Sequence, residues 1–433
     1  MIQSIVEFLS FSDPNIRYVV LGSMLLAASS AVVGVFIVLK KKALIGDAVS
    51  HSVLPGICFA FLFSGNKNIP ALITGAFISG WLALVLIDLI VKKSKVKKDA
   101  AISIVLTVMF GLGIVLLTYI QHHGSAAQTG LESFIFGNAA ALIGTDIIVF
   151  SVIGLVLLIV VLAFFKEFTL ISFNESYAKT LGIPVGRLDL LLSTLTVLAV
   201  VSGITAVGVV LMAAMLITPA AAARFWSDNL RKIVFLSALF GALSGFFGAF
   251  ISYLAPSMPT GPWMVITSSI IAFVSFFFAP NKGFAFRQMK RKKSMRIVDD
   301  ENVLKIFYHL GERINDYTHA YSESHLIEMR GINQNRLKSA IKRLTRRDLL
   351  LEEHDGKRKF SDEGYKQAVR IVRLHRLWEL YLLKYAKIPA HQVHESAEMI
   401  EHILTPEMEK ELELQLGYPD KDPHESIIPR IKN

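Results

Sequence analysis

The sequence predicts an all-α polytopic membrane protein of about nine transmembrane helices, joined to a small, mainly α winged helix-turn-helix domain. Three observations predict it. The chain is 53% hydrophobic with a mean hydropathy of +0.51 over 433 residues, far more apolar than a soluble protein of this length. The long apolar runs all fall within residues 1–297, while 298–433 read as an ordinary soluble domain. Charge divides at the same place: residues 1–297 carry 23 Lys and Arg against 11 Asp and Glu, and the remainder carries 22 against 24. The net charge of +10 therefore belongs to the membrane part and says nothing of nucleic acid. The expected boundaries are a transmembrane domain over 1–280, a basic linker over 281–300, a winged helix over 301–365, and further helices over 366–433.

A helix needs about 20 apolar residues to cross the hydrocarbon core. The candidate spans are 18–39, 44–63, 70–91, 101–120, 144–165, 187–206, 207–224, 232–254 and 262–280. The sixth and seventh form one continuous apolar stretch, divided at a turn that Gly203 and Gly208 permit. Placing the N-terminus outside puts 21 Lys and Arg in the inner segments and two, Arg17 and Lys67, in the outer ones. That asymmetry follows the positive-inside rule and leaves the C-terminal domain in the cytoplasm. The N-terminus lacks a signal-peptide pattern, so the first span is expected to be retained. The single cysteine, Cys58, lies in an apolar run and reads as packing.

Two connections stand out. "NESYAKTLGIPVG" has helix formers followed by Gly182 and Pro184, and reads as a short cytoplasmic helix between spans. The semi-apolar outer loop "QHHGSAAQTGLESFIFGNAAALIG" carries His122 and His123, which read as surface residues.

The second span opens "LIGDAVSHSVLPG". Asp47 and His51 are four residues apart and so share a helical face. An aspartate at the membrane centre costs roughly 2.5–3.5 kcal/mol, so such residues face a bundle interior or a watery path. A carboxylate beside a neutral imidazole suits Mn, Fe or Zn. The competing explanation is that Asp47 pairs with the nearby lysines Lys40–Lys42.

"ALIGDAVSHSVLPGI", "ESYAKTLGI" and "VGVVLMAAMLITPAAAARF", in this order, resemble the membrane permeases of ATP-driven importers for zinc, manganese and iron, over about residues 15–280. The resemblance implies that Asp47 and His51 line the metal pathway. It also implies that 175–183, with Glu175, Ala178 and Gly182, is the coupling helix that docks on the ATPase. It further implies a bacterial inner-membrane location, a second permease chain (an identical copy or a related paralogue) and an extracytoplasmic metal-binding protein. No G-x-x-x-x-G-K-[ST] pattern occurs. The chain is therefore read as a translocation subunit and not an enzyme, with ATP hydrolysis on a separate chain.

Beyond the basic linker "NKGFAFRQMKRKKSMRIVDD", which anionic headgroups would hold, the pattern becomes that of soluble helices. "SESHLIEMRGINQNRLKSAIKRLTRRDLL" reads as helix, Gly331 turn, helix, with Ser322 or Ser324 as cap. Two short strands around Asp355-Gly356 follow, completing a winged helix-turn-helix. Its second helix offers Gln334, Asn335, Arg336, Lys338 and Lys342 for DNA, against the alternative of a solvated charged face. The domain's slightly negative charge weakens the DNA reading.

Downstream, His375 and Glu379 are i, i+4, and His394, Glu398, Glu401 and His402 fall within an arc of about 100° on one helix. Such groups are costly to bury without a counter-ion and make a ready metal site. "LHRLWE", "VHESAEMIEH" and "DPHESIIP" resemble the metal-binding and dimerisation region of the diphtheria-toxin-repressor family, over about 301–429. The resemblance implies that His375, Glu379, His394, Glu398, Glu401 and His402 are metal ligands, with Glu301 from the first helix. A glutamate at 398 resembles the manganese-responsive members, and oxygen donors favour Mn(II) on hardness. A second acidic position of those members falls on Leu304, a departure that counts against a full two-metal site. The whole reads as the permease of an importer of Mn(II), or of Fe(II) or Zn(II), with Mn(II) also as regulatory ligand. The alternative is a membrane-tethered, metal-dependent transcriptional regulator.

Overall fold

The computed structural model describes residues 2–65, 68–123, 144–254, 258–329, 333–353, 355–389 and 406–430. Contacts divide the chain into two compact units, Met1–Arg287 and Gln288–Asn433.

In the first unit α1 (Ile2–Ser10) precedes the long helices α2 (Pro14–Leu39), α3 (Ala43–Ser64), α4 (Ile69–Lys93) and α5 (Lys98–His123). Then come α6 (Gly144–Ala163), the short α7 (Phe165–Phe173) and α8 (Glu175–Thr180), α9 (Val185–Val207), α10 (Val209–Ala223), α11 (Leu230–Leu254) and α12 (Thr260–Phe278). Among the described residues eight helices are long and apolar enough to cross a membrane. The segment expected to span at 207–224 is instead the 15-residue α10. At 1.5 Å per residue it reaches about 22 Å, short of the roughly 30 Å hydrocarbon core. Gly208 alone separates it from α9, at φ +90°, a backbone that an L side chain resists.

The centre of this unit is α2, packed on α6, α10 and α11, with α3 packed on α4, α5 and α10. Apolar packing against lipid gains nothing, so the contacts use small residues and hydroxyls. Ser237 donates to the Ala31 carbonyl at 2.9 Å and Ser23 to that of Gly245 at 3.2 Å, seating α11 on α2. Between α3 and α4, a Cβ at Gly56 or at Gly75 would meet the other's carbonyl oxygen. Helix α1 was not expected from the sequence. Its Phe8 is buried and makes ring contacts with Phe246, Phe250 and Tyr253.

In the second unit the stretch expected as a linker is helical. α13 runs unbroken from Phe284 to Ile314. It is followed by α14 (Glu323–Met329), α15 (Gln334–Arg346), β1 (Leu350–Glu352), β2 (Arg358–Phe360), α16 (Asp362–Lys384) and α17 (Pro406–Leu416). The antiparallel wing pairs Leu350 with Phe360, with Gly356 at φ +70° in its turn. Helix α15 shows the expected stripe: Leu337, Ala340, Ile341 and Leu344 are buried against Val303, Leu304 and Phe307 of α13. Ser322 caps α14 by accepting from the His325 N–H at 3.4 Å; Gly331 lies outside the described residues. A second cluster joins Leu377 of α16 to Leu412 and Leu416 of α17 and to Ile428.

Candidate metal sites

Helix α3 presents Asp47 and His51 one turn apart, with His51 Nε2 3.5 Å from Asp47 Oδ1. His51 is largely buried, its ring edge-on to Phe110 of α5 at 4.8 Å, while Asp47 is half-buried. Two of the three lysines that could pair with Asp47 are engaged elsewhere: Lys40 and Lys42 both reach the carboxylate of Asp189 on α9. Lys41 is exposed, and Asp47 faces the imidazole.

Further polar atoms lie beside the pair. Among the described residues His51 Nδ1 and Ser52 Oγ are buried with no hydrogen-bond partner. Pro55 lies inside α3, four residues after His51. Proline has no N–H, so the His51 carbonyl loses its helical donor. A carboxylate, an imidazole and a released carbonyl on one stretch of helix offer oxygen and nitrogen donors to a divalent cation. These atoms are costly to bury without such a partner.

The short helix expected at 175–183 is α8. Asn174 caps it by accepting from the Tyr177 N–H at 2.9 Å. Glu175 and Lys179 pair at 2.9 Å, Ala178 is fully buried, and Gly182 turns the chain at φ +75°.

In the second unit, His375 Nε2 lies 3.1 Å from Glu379 Oε1, both deeply buried on α16. Glu301 is half-buried on α13, and Leu304 is in the apolar core. His394, Glu398, Glu401 and His402 lie outside the described residues, and among the described residues no three metal-binding side chains come together. The two donors fit a regulatory ion as one imidazole and one carboxylate. The sequence did not signal Lys305. It is 1% exposed, with Nζ 3.5 Å from His375 Nδ1. The imidazole thus lies between Glu379 on its Nε2 side and Lys305 on its Nδ1 side.

The expected DNA face is partly occupied. Arg336 binds Asp299 of α13 through two bonds, of 2.5 and 3.2 Å, and Arg343 binds Asp300 at 2.7 and 2.9 Å. Gln334, Asn335, Lys338 and Lys342 are exposed.

Residues 12–279 match the family model described as the ABC 3 transport family. The chain belongs to that family. A manganese transport system membrane protein of Bacillus subtilis, MntC, is 40% identical over 376 residues, covering 87% of this chain and 86% of that protein. Because the first unit ends at Arg287, an alignment of this length runs on into the second. A zinc transport system membrane protein of Treponema pallidum, TroC, is 39% identical over 67% of this chain and 97% of its own length. The structure of PsaBC from Streptococcus pneumoniae in complex with Fab is 33% identical, with a TM-score of 0.59, covering 67% of this chain and 100% of that one. In this ABC 3 chain, residues 361–430 also match the model described as the iron dependent repressor metal binding and dimerisation domain.

Proposed function

We propose that the chain is the translocation subunit of an ATP-driven importer of divalent transition metals, with manganese its first substrate. The observation that carries this reading is the Asp47–His51 pair on α3, with Lys40 and Lys42 engaged by Asp189 instead. A carboxylate and an imidazole accept Mn(II), Fe(II) and Zn(II) alike, so the donor set names the class and not the ion. Manganese is favoured by the naming of the MntC relative, which matches across both units, whereas the zinc-transporting TroC relative matches two thirds of the chain. In this reading α10, short as it is, completes the ninth crossing, since its end at Ala220 and Ala223 clusters with Val35 near the Lys40 end of α2; the N-terminus is then outside and the C-terminal unit is in the cytoplasm of a bacterial cell, beneath the inner membrane. Two permease chains pair over two copies of a separate ATPase, which the 175–183 segment meets through Glu175, Ala178 and Gly182. An extracytoplasmic binding protein delivers the ion.

The C-terminal unit senses the same ion. His375 and Glu379 would supply two donors, with Glu301, His394, Glu398, Glu401 and His402 the remaining candidates. A bound ion would contribute charge and cross-linking there, drawing α16 and its neighbours into one arrangement. Lys305 lies on the other side of the imidazole, 3.5 Å from His375 Nδ1.

The test is uptake by the permease–ATPase complex in sealed vesicles, with labelled Mn(II) against unlabelled Fe(II) and Zn(II). Mn(II) uptake that resists both competitors supports the assignment, and displacement by equimolar Zn(II) would reassign the substrate. A second reading, a membrane-tethered regulator of transcription, is favoured by the exposed Lys338 and Lys342 on α15. Specific retention of duplex DNA by the full chain, together with no metal uptake, would support it.

A further inference from the structure

We propose that Asp189 is a positioning residue: it ties the helix bearing the metal pair to the segment that meets the ATPase. The proposal rests on the docking role assigned above to 175–183.

One carboxylate here gathers three elements. Asp189 sits early in α9, which the Gly182–Pro184 turn links directly to α8. Its two oxygens take separate ammonium groups: Oδ1 takes Lys40, the C-cap of α2, and Oδ2 takes Lys42, the N-cap of α3, at 2.5 Å. The lysine side chains are 5% and 13% exposed and the aspartate 31%. Asp47 follows Lys42 by five residues on the same helix. Any shift of the start of α9 therefore pulls on the end of α2 and the base of α3.

The surroundings leave room for such a shift. A cavity of about 470 Å³ opens at this place, lined by Glu175 and Lys179 of α8 together with Lys42, Lys98 and Asp189. The docking segment and the bridge thus share one space. The link is also ionic where apolar packing would hold as well, since buried ion pairs seldom out-stabilise a hydrophobic replacement. What an ionic link adds is that it can break and remake between two discrete positions of the helices it joins. With two ammoniums on one carboxylate, the bridge can release one lysine and keep the other.

The experiment measures metal moved per ATP hydrolysed by the permease–ATPase complex in vesicles. For Asp189→Asn, copurification with the ATPase and basal hydrolysis should hold, while metal moved per ATP falls on the order of tenfold or more. Asp189→Glu should retain coupling. The exchange Lys42→Asp with Asp189→Lys should recover at least part of it, which a merely structural role would not predict. An unchanged ratio in Asp189→Asn would overturn the proposal. So would transport and ATPase copurification lost in parallel and not recovered by the exchange. Replacing 175–183 by a Gly/Ser sequence separates the two readings. If that replacement uncouples and Asp189→Asn does not, this proposal fails alone. If coupling survives the replacement, the docking reading falls and takes the proposal with it.

Discussion

His51 stands one turn beyond Asp47 on α3, with Nε2 3.5 Å from Oδ1. A histidine proton shared with a carboxylate is displaced when both become metal ligands. Asp47→Ala and His51→Ala should therefore each lower uptake by at least about tenfold while the complex with the ATPase still assembles. Labelled-metal uptake at matched expression is the measurement. Full uptake in both variants would remove the pair from the pathway.

Lys305 lies against the histidine of the His375–Glu379 pair, with Nζ 3.5 Å from His375 Nδ1. Groups that orient a metal-binding histidine through its second nitrogen are worth roughly 10–100-fold in affinity. If the pair holds a regulatory ion, Lys305→Met should weaken Mn(II) binding to fragment 288–433 by roughly tenfold. Titration calorimetry reads this directly, and thermal stabilisation should follow RT ln(1 + [L]/Kd). Unchanged binding in the variant would remove Lys305 from the metal site.

The Asp299–Arg336 pair places a carboxylate where a phosphate would otherwise sit. If α15 enters DNA, Asp299→Asn releases Arg336. The slope of log K against log salt should then steepen by about 0.9 for the one phosphate gained. Binding of fragment 288–433 to duplex DNA across a salt series tests it. An unchanged slope removes Arg336 from the interface.

Glu312 of α13 is an acid-sensitive group of the second unit. Burial pushes its carboxyl up, but hydrogen bonds from His309 and from Arg376 outweigh this and hold it at about 2. The Arg376 fork is bidentate, at 2.7 and 3.0 Å. With the folded value below the unfolded 4.5, the unfolded state takes up the proton more readily. The stabilisation is complete above about pH 4.5 and is lost as pH falls toward 2. The side chain is one-third exposed, so the contribution is on the order of 1 kcal/mol after screening. Denaturant unfolding of fragment 288–433 between pH 6 and 3 should lose stability, and Glu312→Gln should flatten the loss.

Much of this was legible because the signals were local. Apolar length marked the spans, i, i+4 spacing marked Asp47 with His51, and the stripe of α15 with the Gly356 turn marked the winged helix. What escaped depends on residues far apart in sequence. Asp189 meets Lys40 across 149 positions, and no spacing rule links them; an acid near the end of an apolar run opposite surplus lysines was the only hint. Lys305 escaped because lysine is rarely buried, although Leu304, Ile306 and Phe307 around it are all in the core. Helix α1, at nine residues, is too short for a membrane window, and only the aromatic pocket around Phe8 gives it a place. The charge of 281–300 suggests a linker, but past Gly283 it holds neither Pro nor Gly, and from Phe284 it is part of α13.

If the second unit senses the ion that the first unit carries, feedback is the simplest link between them. As cytosolic Mn(II) rises, it would fill the site at His375 and Glu379 and hold the second unit in one arrangement. Such an arrangement slows transport only if it favours one state of the permease over another, by a coupling of typically 5–150-fold. Vesicles preloaded with Mn(II) should therefore take up labelled Mn(II) several-fold more slowly with the full chain than with a chain ending at Arg287. Without internal metal the two should be equal. His375→Ala with Glu379→Ala in the full chain should behave like the shortened chain, which separates metal sensing from mere bulk beneath the membrane. Equal rates for full and shortened chains at saturating internal Mn(II) would exclude direct gating. The second unit would then have to act on something other than the permease, and the exposed lysines of α15 make DNA the next partner to test.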